Sequence, residues 1–195
     1  MGRTGILFII SGPSGVGKGT VKDAVLKRLT DVKLSISATT RQPRVGEVEG
    51  QDYFFMRKEE FCSIQECGGF LECAQVYTNM YGTPELYVKE NLENGFDVLL
   101  EIDIQGAMQV KDKMPQGVFI FLEPPSVEEL ALRICKRGKD SEDSISRRMA
   151  ACKAEMEHSN YYDYLVMNDA LQEAVDKVYA IIIAERCRIR TNNKG

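Results

Sequence analysis

The 195-residue sequence has few of the residues that would indicate a metal site or a disulfide framework. It contains a single histidine, His158, and its six cysteines form no CxxC pair, so the common ligand spacings of zinc sites are absent. We therefore expect reduced and mostly packed thiols, and no site in which protein side chains alone hold a metal.

Long apolar runs and a basic excess are also missing. No apolar stretch approaches the ~18 residues of a membrane span, and the N-terminus leads directly into a predicted strand rather than into a leader. The formal net charge is -4 and the sequence pI about 5.2, whereas nucleic-acid binders usually carry a basic field. These features predict a cytoplasmic protein without membrane or nucleic-acid partners. They leave open whether it is a monomer or a homo-oligomer.

What the sequence does contain is a set of apolar, β-branched runs typical of strands buried on both faces. These are GILFIIS at 5–11, DVLLEID at 97–103 and GVFIFLE at 117–123. Amphipathic helices are predicted at about 18–29 and 170–190. The pattern predicts an α/β fold whose core is a three-layer structure, a parallel sheet with helices on both sides.

Two segments with a different residue pattern interrupt this core. Residues 35–83 contain short alternating runs separated by glycines, and we predict an inserted β-rich domain there. Residues 126–160 open with the capping box Ser126-x-x-Glu129 and continue as arginine-rich helices, which predicts a helical lid. The core then consists of residues 1–34, 84–125 and 161–195.

The stretch GPSGVGKGT, between the first predicted strand and the first predicted helix, is typical of a phosphate-binding loop, with a simple glycine-rich turn as the alternative. Its glycines allow successive backbone N–H groups to converge on phosphate oxygens at the helix start, and its lysine adds a mobile cation. We predict that the whole stretch binds the phosphates of ATP: Gly12, Pro13, Ser14, Gly15, Val16, Gly17, Lys18, Gly19 and Thr20.

The same loop departs from the usual pattern GxxxxGK(S/T), because Gly19 stands where a hydroxyl residue would contact Mg²⁺. Thr20 is the nearest replacement. Glu101 and Asp103 lie at i and i+2, on one side of an extended chain, and either could supply a carboxylate. We predict Thr20 and Glu101 as Mg²⁺ ligands, while simple solvation of a strand end is the alternative for both carboxylates.

An arginine pair marks a site for the acceptor of the phosphoryl group. Arg41 and Arg44 flank Pro43, whose ring stiffens the loop, and two guanidinium groups suit a monophosphate. Such an acceptor is already anionic and needs positioning and charge neutralisation rather than a strong base. Tyr53 and Tyr81 could add hydroxyl donors, although tyrosines in a small β-domain more often belong to its core or rim.

Several motifs, in order and spacing, resemble those of guanylate kinases from Gly5 to the last helix. They are GPSGVGKGT, SISATTRQPRVGE followed by GQDYFF, FLECAQV, NMYGT, EIDIQGA, RICKRGKDSED and VMND. The resemblance implies ATP-dependent phosphorylation of GMP, giving GDP and ADP. It also implies that the first insertion is the GMP-binding domain and the second the lid.

The resemblance assigns roles residue by residue. It implies that the GMP phosphate is held by Arg41, Arg44, Tyr53 and Tyr81, and that guanine is surrounded by Ser37, Glu72, Thr83 and Asp103. It implies a contact near adenine for Asn168. The catalytic cations would be Lys18, Arg41 and the lid arginines Arg133, Arg137 and Arg148.

Two alternatives of other classes remain. The chain could be another small-molecule P-loop kinase, acting on AMP or a phosphorylated sugar, but Glu72 and Asp103 suit the N1–H and N2–H donors of guanine, which adenine lacks. It could also be a non-catalytic, guanylate-kinase-like interaction module. An intact loop from Gly12 to Lys18 argues against that alternative.

Overall fold

A five-stranded parallel sheet forms the centre of the molecule, whose computed structural model describes residues 3–126, 128–130 and 155–189. In chain order its strands are β1 (Leu7–Ser11), β2 (Val32–Leu34), β7 (Asp97–Glu101), β8 (Val118–Glu123) and β9 (Tyr164–Met167). Their spatial order is β2-β7-β1-β8-β9, with Ile9 opposite Leu100 on one side and Phe119 on the other. The predicted parallel α/β core is confirmed.

Helices cover both faces of this sheet because side chains along β1 alternate in direction. Phe8 and Ile10 pack with α1 (Lys18–Arg28) and with the last helix, α5 (Leu171–Cys187). Leu7 and Ile9 pack on the opposite face with α3 (Glu85–Glu93) and α4 (Ile104–Lys113). The result is a three-layer core in which β1 is buried along its full length.

A second, four-stranded sheet lies in the segment that the sequence predicts to be inserted. Its strands are β3 (Ala38–Thr39), β4 (Phe54–Phe55), β5 (Phe70–Val76) and β6 (Asn79–Pro84), in the order β4-β3-β6-β5. Helix α2 (Lys58–Glu66) packs on it through Phe61, whose ring stacks on that of Phe70 at 4.4 Å between centroids. The sequence analysis missed this helix, since Phe61 is its one buried side chain.

Helix α4 joins the two sheets. The Gln109 side chain accepts a hydrogen bond from the backbone N–H of Cys73 (3.1 Å) and donates one to the Cys73 carbonyl (3.3 Å). It thereby satisfies the backbone N–H and carbonyl groups of Cys73 in β5, as a neighbouring strand would. Lys113 of the same helix donates to the carbonyl of Phe70. The second sheet is therefore attached to the core mainly along β5.

The sheet order places a crevice at the carboxyl end of β1. The neighbours of β1 are β7 and β8, whose connections run to opposite sides of the sheet, and ligands of open α/β sheets bind at such a switch point. The glycine loop follows β1 directly and α1 begins at Lys18. The fold thus brings the loop to the position where a ligand is expected.

One local expectation is wrong, and one strand is shorter than predicted. Strand β7 ends at Glu101, two residues before the end of the predicted run, and Asp103, whose backbone is still extended, is the N-cap of α4. The four cysteines that the structure describes are free, but none is buried: Cys62 and Cys73 are half-buried, and Cys67 and Cys187 are exposed.

Other expectations concern the lid and the membrane. At the start of the predicted lid, the Ser126 hydroxyl accepts a hydrogen bond from the backbone N–H of Glu129 (3.1 Å), as in the predicted cap. Among the described residues no helix is long and apolar enough to span a membrane.

Candidate functional site

The glycine loop after β1 has the backbone geometry of a phosphate cradle. Gly12, Gly15 and Gly17 have φ angles of 146°, 88° and 99°, in the region that residues with a side chain rarely adopt. Gly17 is also the N-cap of α1, so the free N–H groups of the first helical turn face the loop interior. Anions bind readily at such a helix start, because the backbone dipoles point the same way.

Lys18 folds back over this loop. Its ammonium group donates to the carbonyl of Gly12 (2.7 Å) and to that of Pro13 (3.2 Å). Burial lowers the pKa of Lys18, while Glu101, Glu155 and Asp103 oppose that shift electrostatically. A partly desolvated ammonium group beside converging N–H donors attracts an anionic ligand more strongly than one in water.

Asn168 supports the glycine loop through a hydrogen bond to its backbone. It is 6% exposed, and its amide donates to the carbonyl of Val16 at 2.7 Å. A Cβ atom at Gly17 would lie 2.8 Å from the Asn168 amide nitrogen, so the glycine permits this close approach. The sequence analysis expected Asn168 beside adenine, and its contact with the loop backbone is an additional role.

A cavity of about 530 Å³ opens above the loop. Besides loop residues, among them Thr20, it is bordered by Glu101, Asp103 and Glu155. Glu101 is half-buried and pairs with Lys22 at 3.2 Å between charged atoms. An ideal Cβ at Gly19 would lie 3.6 Å from both Glu101 carboxylate oxygens, which places this carboxylate beside the loop.

The donor set of this cavity fits Mg²⁺ bound together with a nucleotide. In the described part of the chain, no three His, Cys, Asp or Glu side chains form a cluster that could hold a metal. Mg²⁺ commonly keeps several waters and binds one or two carboxylates plus substrate phosphates. Glu101 and the exposed hydroxyl of Thr20, at the edge of the same cavity, match that requirement.

The predicted acceptor clamp lies on the loop between β3 and β4. Arg41 is half-buried, and its guanidinium group lies over the rings of Tyr53 and Phe55, at 5.3 and 5.8 Å from their centroids. Tyr53 in turn meets Tyr81 edge to face at 6.0 Å. Three of the four residues predicted to hold the acceptor phosphate are thus in mutual contact.

Arg41 and the fourth member, Arg44, are joined by a carboxylate that the sequence analysis did not single out. Glu47 forms a bidentate pair with Arg41, with N–O distances of 3.0 and 2.8 Å, and accepts from the backbone N–H of Arg44 at 2.6 Å. The hydrogen bonds from Arg41 and from the Arg44 backbone lower the pKa of Glu47 to about 2. The pKa of Arg41 is raised, mainly by the same pair.

A buried carboxylate lies on β5, near the junction of the two sheets. Glu72 is 8% exposed, and one of its oxygens accepts a hydrogen bond from the Thr83 hydroxyl at 2.6 Å. Burial raises the pKa of Glu72, and Asp103 adds to the shift. A carboxylate placed in such surroundings is usually functional rather than stabilising, because burying a charge is costly.

Asp103 faces Glu72 across the first turn of α4. Its carboxylate caps the helix by accepting from the backbone N–H of Gly106 (2.7 Å). A Cβ at Gly106 would lie 3.1 Å from a Glu72 oxygen and 3.3 Å from an Asp103 oxygen. The absence of a side chain at Gly106 therefore leaves the space in which the two carboxylates converge. This role was not predicted, because a single glycine within a helical sequence pattern does not indicate it.

The remaining predicted residues are placed as follows. Ser37 is half-buried and precedes β3, and its carbonyl accepts from the backbone N–H of Phe54 at 2.9 Å. The lid arginines Arg133, Arg137 and Arg148 lie outside the described residues. Tyr162, which the sequence analysis did not consider, packs against Phe121 near Asp103, and burial raises its pKa to about 12.

Comparisons with known proteins identify the family of the chain. The family whose sequence pattern matches the chain is described as guanylate kinase, over residues 4–185. A guanylate kinase of Syntrophomonas wolfei is 61% identical, with 99% of each chain covered. One of Caldanaerobacter subterraneus is 55% identical over 97% of this chain and 92% of its own. The crystal structure of guanylate kinase from Anaplasma phagocytophilum superposes with a TM-score of 0.73 at 34% identity, covering 96% and 89% of the two chains.

The fold and the loop define a P-loop phosphotransferase of the nucleotide kinase class. Within that class, the chain belongs to the guanylate kinase family. The predictions that it is an enzyme and that it is a guanylate kinase are confirmed. This membership supports the predicted activity, ATP-dependent phosphorylation of GMP.

Proposed function

We propose that the protein transfers the γ-phosphoryl group of ATP to GMP through the residues described above. ATP phosphates bind the loop from Gly12 to Thr20, and the GMP phosphate binds Arg41, Arg44, Tyr53 and Tyr81. Guanine is read by Ser37, Glu72, Thr83 and Asp103. The observation that carries the proposal is the pair of converging carboxylates, Glu72 and Asp103, in a chain that also has an arginine clamp and a phosphate loop.

The reaction needs no general base in this site. An oxygen of the GMP phosphate forms the new bond to the γ-phosphorus of ATP, and the bond from that phosphorus to the β–γ bridging oxygen breaks. ADP leaves with the electron pair. The acceptor oxygen is already anionic, so Arg41 and Lys18 contribute by positioning the two phosphates and neutralising their charge.

Guanine selectivity follows from the two acidic groups. Guanine presents N1–H and N2–H donors, and a hydrogen bond to a charged acceptor contributes about 1.5–3 kcal/mol. AMP presents an acceptor at N1 and no amino group at C2, so it would leave the desolvated Glu72 carboxylate with the Thr83 hydroxyl but without a donor from the base. A site built in this way can reject such an analogue by factors of up to ~10⁴–10⁵.

The proposal extends to the metal and the compartment. Thr20 and Glu101 would hold Mg²⁺ with the nucleotide phosphates, and the ion would neutralise charge on them. The lid arginines Arg133, Arg137 and Arg148 are proposed to approach the transferred group. The cytoplasm is the proposed location, since the four cysteines that the structure describes are free thiols, as expected in a reducing compartment.

The test is nucleoside diphosphate formation from ATP and Mg²⁺ with GMP, AMP, CMP and UMP as separate acceptors. We expect selective formation of GDP. Equal use of AMP would contradict guanine reading by Glu72 and Asp103, and transfer to a phosphorylated sugar alone would favour the other kinase class. Nucleotide binding with no transfer to any acceptor would favour an interaction module.

Two variants separate the two phosphate sites in the same assay. Lys18→Met removes the ammonium group from the loop, so we expect transfer to be lost while GMP still binds. Arg41→Met removes part of the clamp, so we expect a raised KM for GMP with the KM for ATP retained. Near-normal turnover of the Lys18 variant would contradict the loop assignment.

A further inference from the structure

The acceptor clamp contains one strongly held group to which the proposed mechanism gives no role, the carboxylate of Glu47. It makes three hydrogen bonds, two with the Arg41 guanidinium group and one with the Arg44 backbone. Its side chain is 19% exposed and that of Arg41 is 14% exposed, so the pair is partly shielded from water. This shielding distinguishes the Arg41–Glu47 pair from the exposed pair of Arg57 and Glu60 in the same inserted segment, residues 35–83.

The local backbone fixes where Glu47 points. The N–H of Glu47 bonds to the carbonyl of Arg44 at 3.1 Å, which closes a four-residue turn, and Gly46 has a φ of 91° within it. A glycine at the third position allows this turn, since residues with a Cβ rarely adopt such a φ. The turn directs the carboxylate back toward Arg41, six residues earlier in the chain.

The guanidinium group of Arg41 has more N–H donors than Glu47 and Gln42 use. A guanidinium group has five N–H donors. Two of them go to Glu47 and one to the carbonyl of Gln42, at 2.8 Å. One N–H on Nη2 and the one on Nε lie outside these three bonds, on the side of the group that has Tyr81, another predicted phosphate ligand, as its remaining hydrogen-bond partner. They are the edge of the guanidinium group that a phosphate could use in a bidentate manner.

We propose that Glu47 is a positioning residue for the acceptor phosphate: it orients Arg41 and couples it to Arg44, so that the clamp is formed before GMP binds. Without Glu47, Arg41 would have to be ordered when the phosphate arrives, and the lost rotamer freedom of a long side chain would reduce affinity. This inference rests on the proposed function, because it assumes that the anion bound by Arg41 is the phosphate of GMP.

The experiment compares Glu47→Ala and Glu47→Gln with the wild type in steady-state kinetics and in calorimetric binding of GMP and guanosine. We expect Glu47→Ala to raise the KM and Kd for GMP by about tenfold or more, from the loss of charge-assisted bonds. The KM for ATP and the affinity for guanosine, which has no phosphate, should stay within about twofold of wild type. Glu47→Gln keeps an acceptor for one Arg41 N–H and should fall between the two.

Two controls keep the result interpretable. Glu59→Gln removes an exposed carboxylate from the same unit and should change none of these constants. Because the Glu47 pKa is about 2, the effect of Glu47→Gln should be the same at pH 6 and pH 8. Melting curves with an ATP analogue verify that each variant folds.

Several results would overturn the inference. Unchanged GMP affinity in Glu47→Ala would remove Glu47 from the clamp. Tighter GMP binding would show that Glu47 competes with the phosphate for Arg41 instead of positioning it. An equal loss of guanosine affinity would indicate a structural defect of the whole unit. If wild-type protein does not phosphorylate GMP, the proposed function itself fails, independently of these variants.

Discussion

At the scale of single residues, Glu72 combines a cost in stability with a gain in recognition. Burial raises its pKa, so the ionised form is less favourable in the folded protein than in the unfolded chain. This cost is absent below the unfolded pKa and is fully present once the pH exceeds the raised folded pKa. The protein tolerates it because the same carboxylate is the proposed acceptor for guanine N–H donors.

Glu72→Gln should therefore stabilise the protein and weaken GMP binding. The neutral amide removes the buried charge, and its oxygen can still accept from Thr83. We expect a higher Tm than wild type at pH 8, with the difference shrinking toward pH 4, and a GMP Kd raised about tenfold or more.

Melting curves across this pH range and calorimetric titration with GMP check the prediction. Glu66→Gln, at an exposed position of α2, serves as the control and should show neither effect. If the Tm difference between Glu72→Gln and wild type grows as the pH falls, the folded protein does not raise the pKa of Glu72.

How much of the site can be predicted differs between these residues. The loop and Lys18 follow from local spacing, since consecutive residues build the whole cradle. Arg41 was predicted from the arginine pair around Pro43, whereas Glu72 was assigned by motifs resembling a family, because nothing in its local sequence indicates which groups it meets. Glu47 and Gly106 were missed: a turn conformation gives Glu47 its role, and the close approach of two distant segments gives Gly106 its role.

At the scale of elements, the sequence pattern predicted the strands in which consecutive residues are buried, because such strands appear as continuous apolar runs. Strands β1, β7 and β8 were expected within two residues of their observed bounds. The two-residue strands β3 and β4 have no pattern of their own, because only pairing within the second sheet defines them. The division of the chain into core, insertion and lid stays a prediction.

The far end of β7 holds a buried ionic junction that should stabilise the core without serving the site. Asp97, fully buried, accepts from the Ile6 backbone at 2.8 Å, Arg3 at 2.5 Å and Arg186 of α5 at 2.7 Å. Arg186 also contacts Asp31 at 3.0 Å. One carboxylate thereby joins β7 to the chain before β1 and to the last helix.

Asp97→Asn should lower the free energy of unfolding by about 1.5–3 kcal/mol, because it weakens the charge-assisted bonds to Arg3, which is partly exposed, and to Arg186, which keeps its pair with Asp31. Urea denaturation measures this loss. The KM values for GMP and ATP should stay near wild type, since the junction lies at the end of β7 opposite the phosphate loop. Asp176→Asn breaks the exposed pair with Arg28 and should have little effect on unfolding. A small loss in Asp97→Asn would contradict the role given to the junction.

At the scale of the whole molecule, the two proposed phosphate sites belong to different sheets. Lys18 lies on the core, whereas Arg41 lies on the loop between two strands of the second sheet. The sheets are tied by the contacts of α4 with β5 and by two chain crossings, after β2 and before α3. In-line transfer requires reacting atoms about 3–3.5 Å apart and exclusion of water. We therefore predict that the second sheet approaches the core when both nucleotides are present.

Small-angle X-ray scattering tests this closure on the unmodified chain. We expect the radius of gyration to decrease when GMP and a non-hydrolysable ATP analogue are added together, and to decrease less with either alone, because each ligand supplies one half of the contact between the sites. Lys18→Met should keep the response to GMP and lose the further compaction caused by the analogue. If scattering from wild-type protein is the same with and without both ligands, the clamp and the loop must already be at reacting distance, and binding alone would then assemble the site.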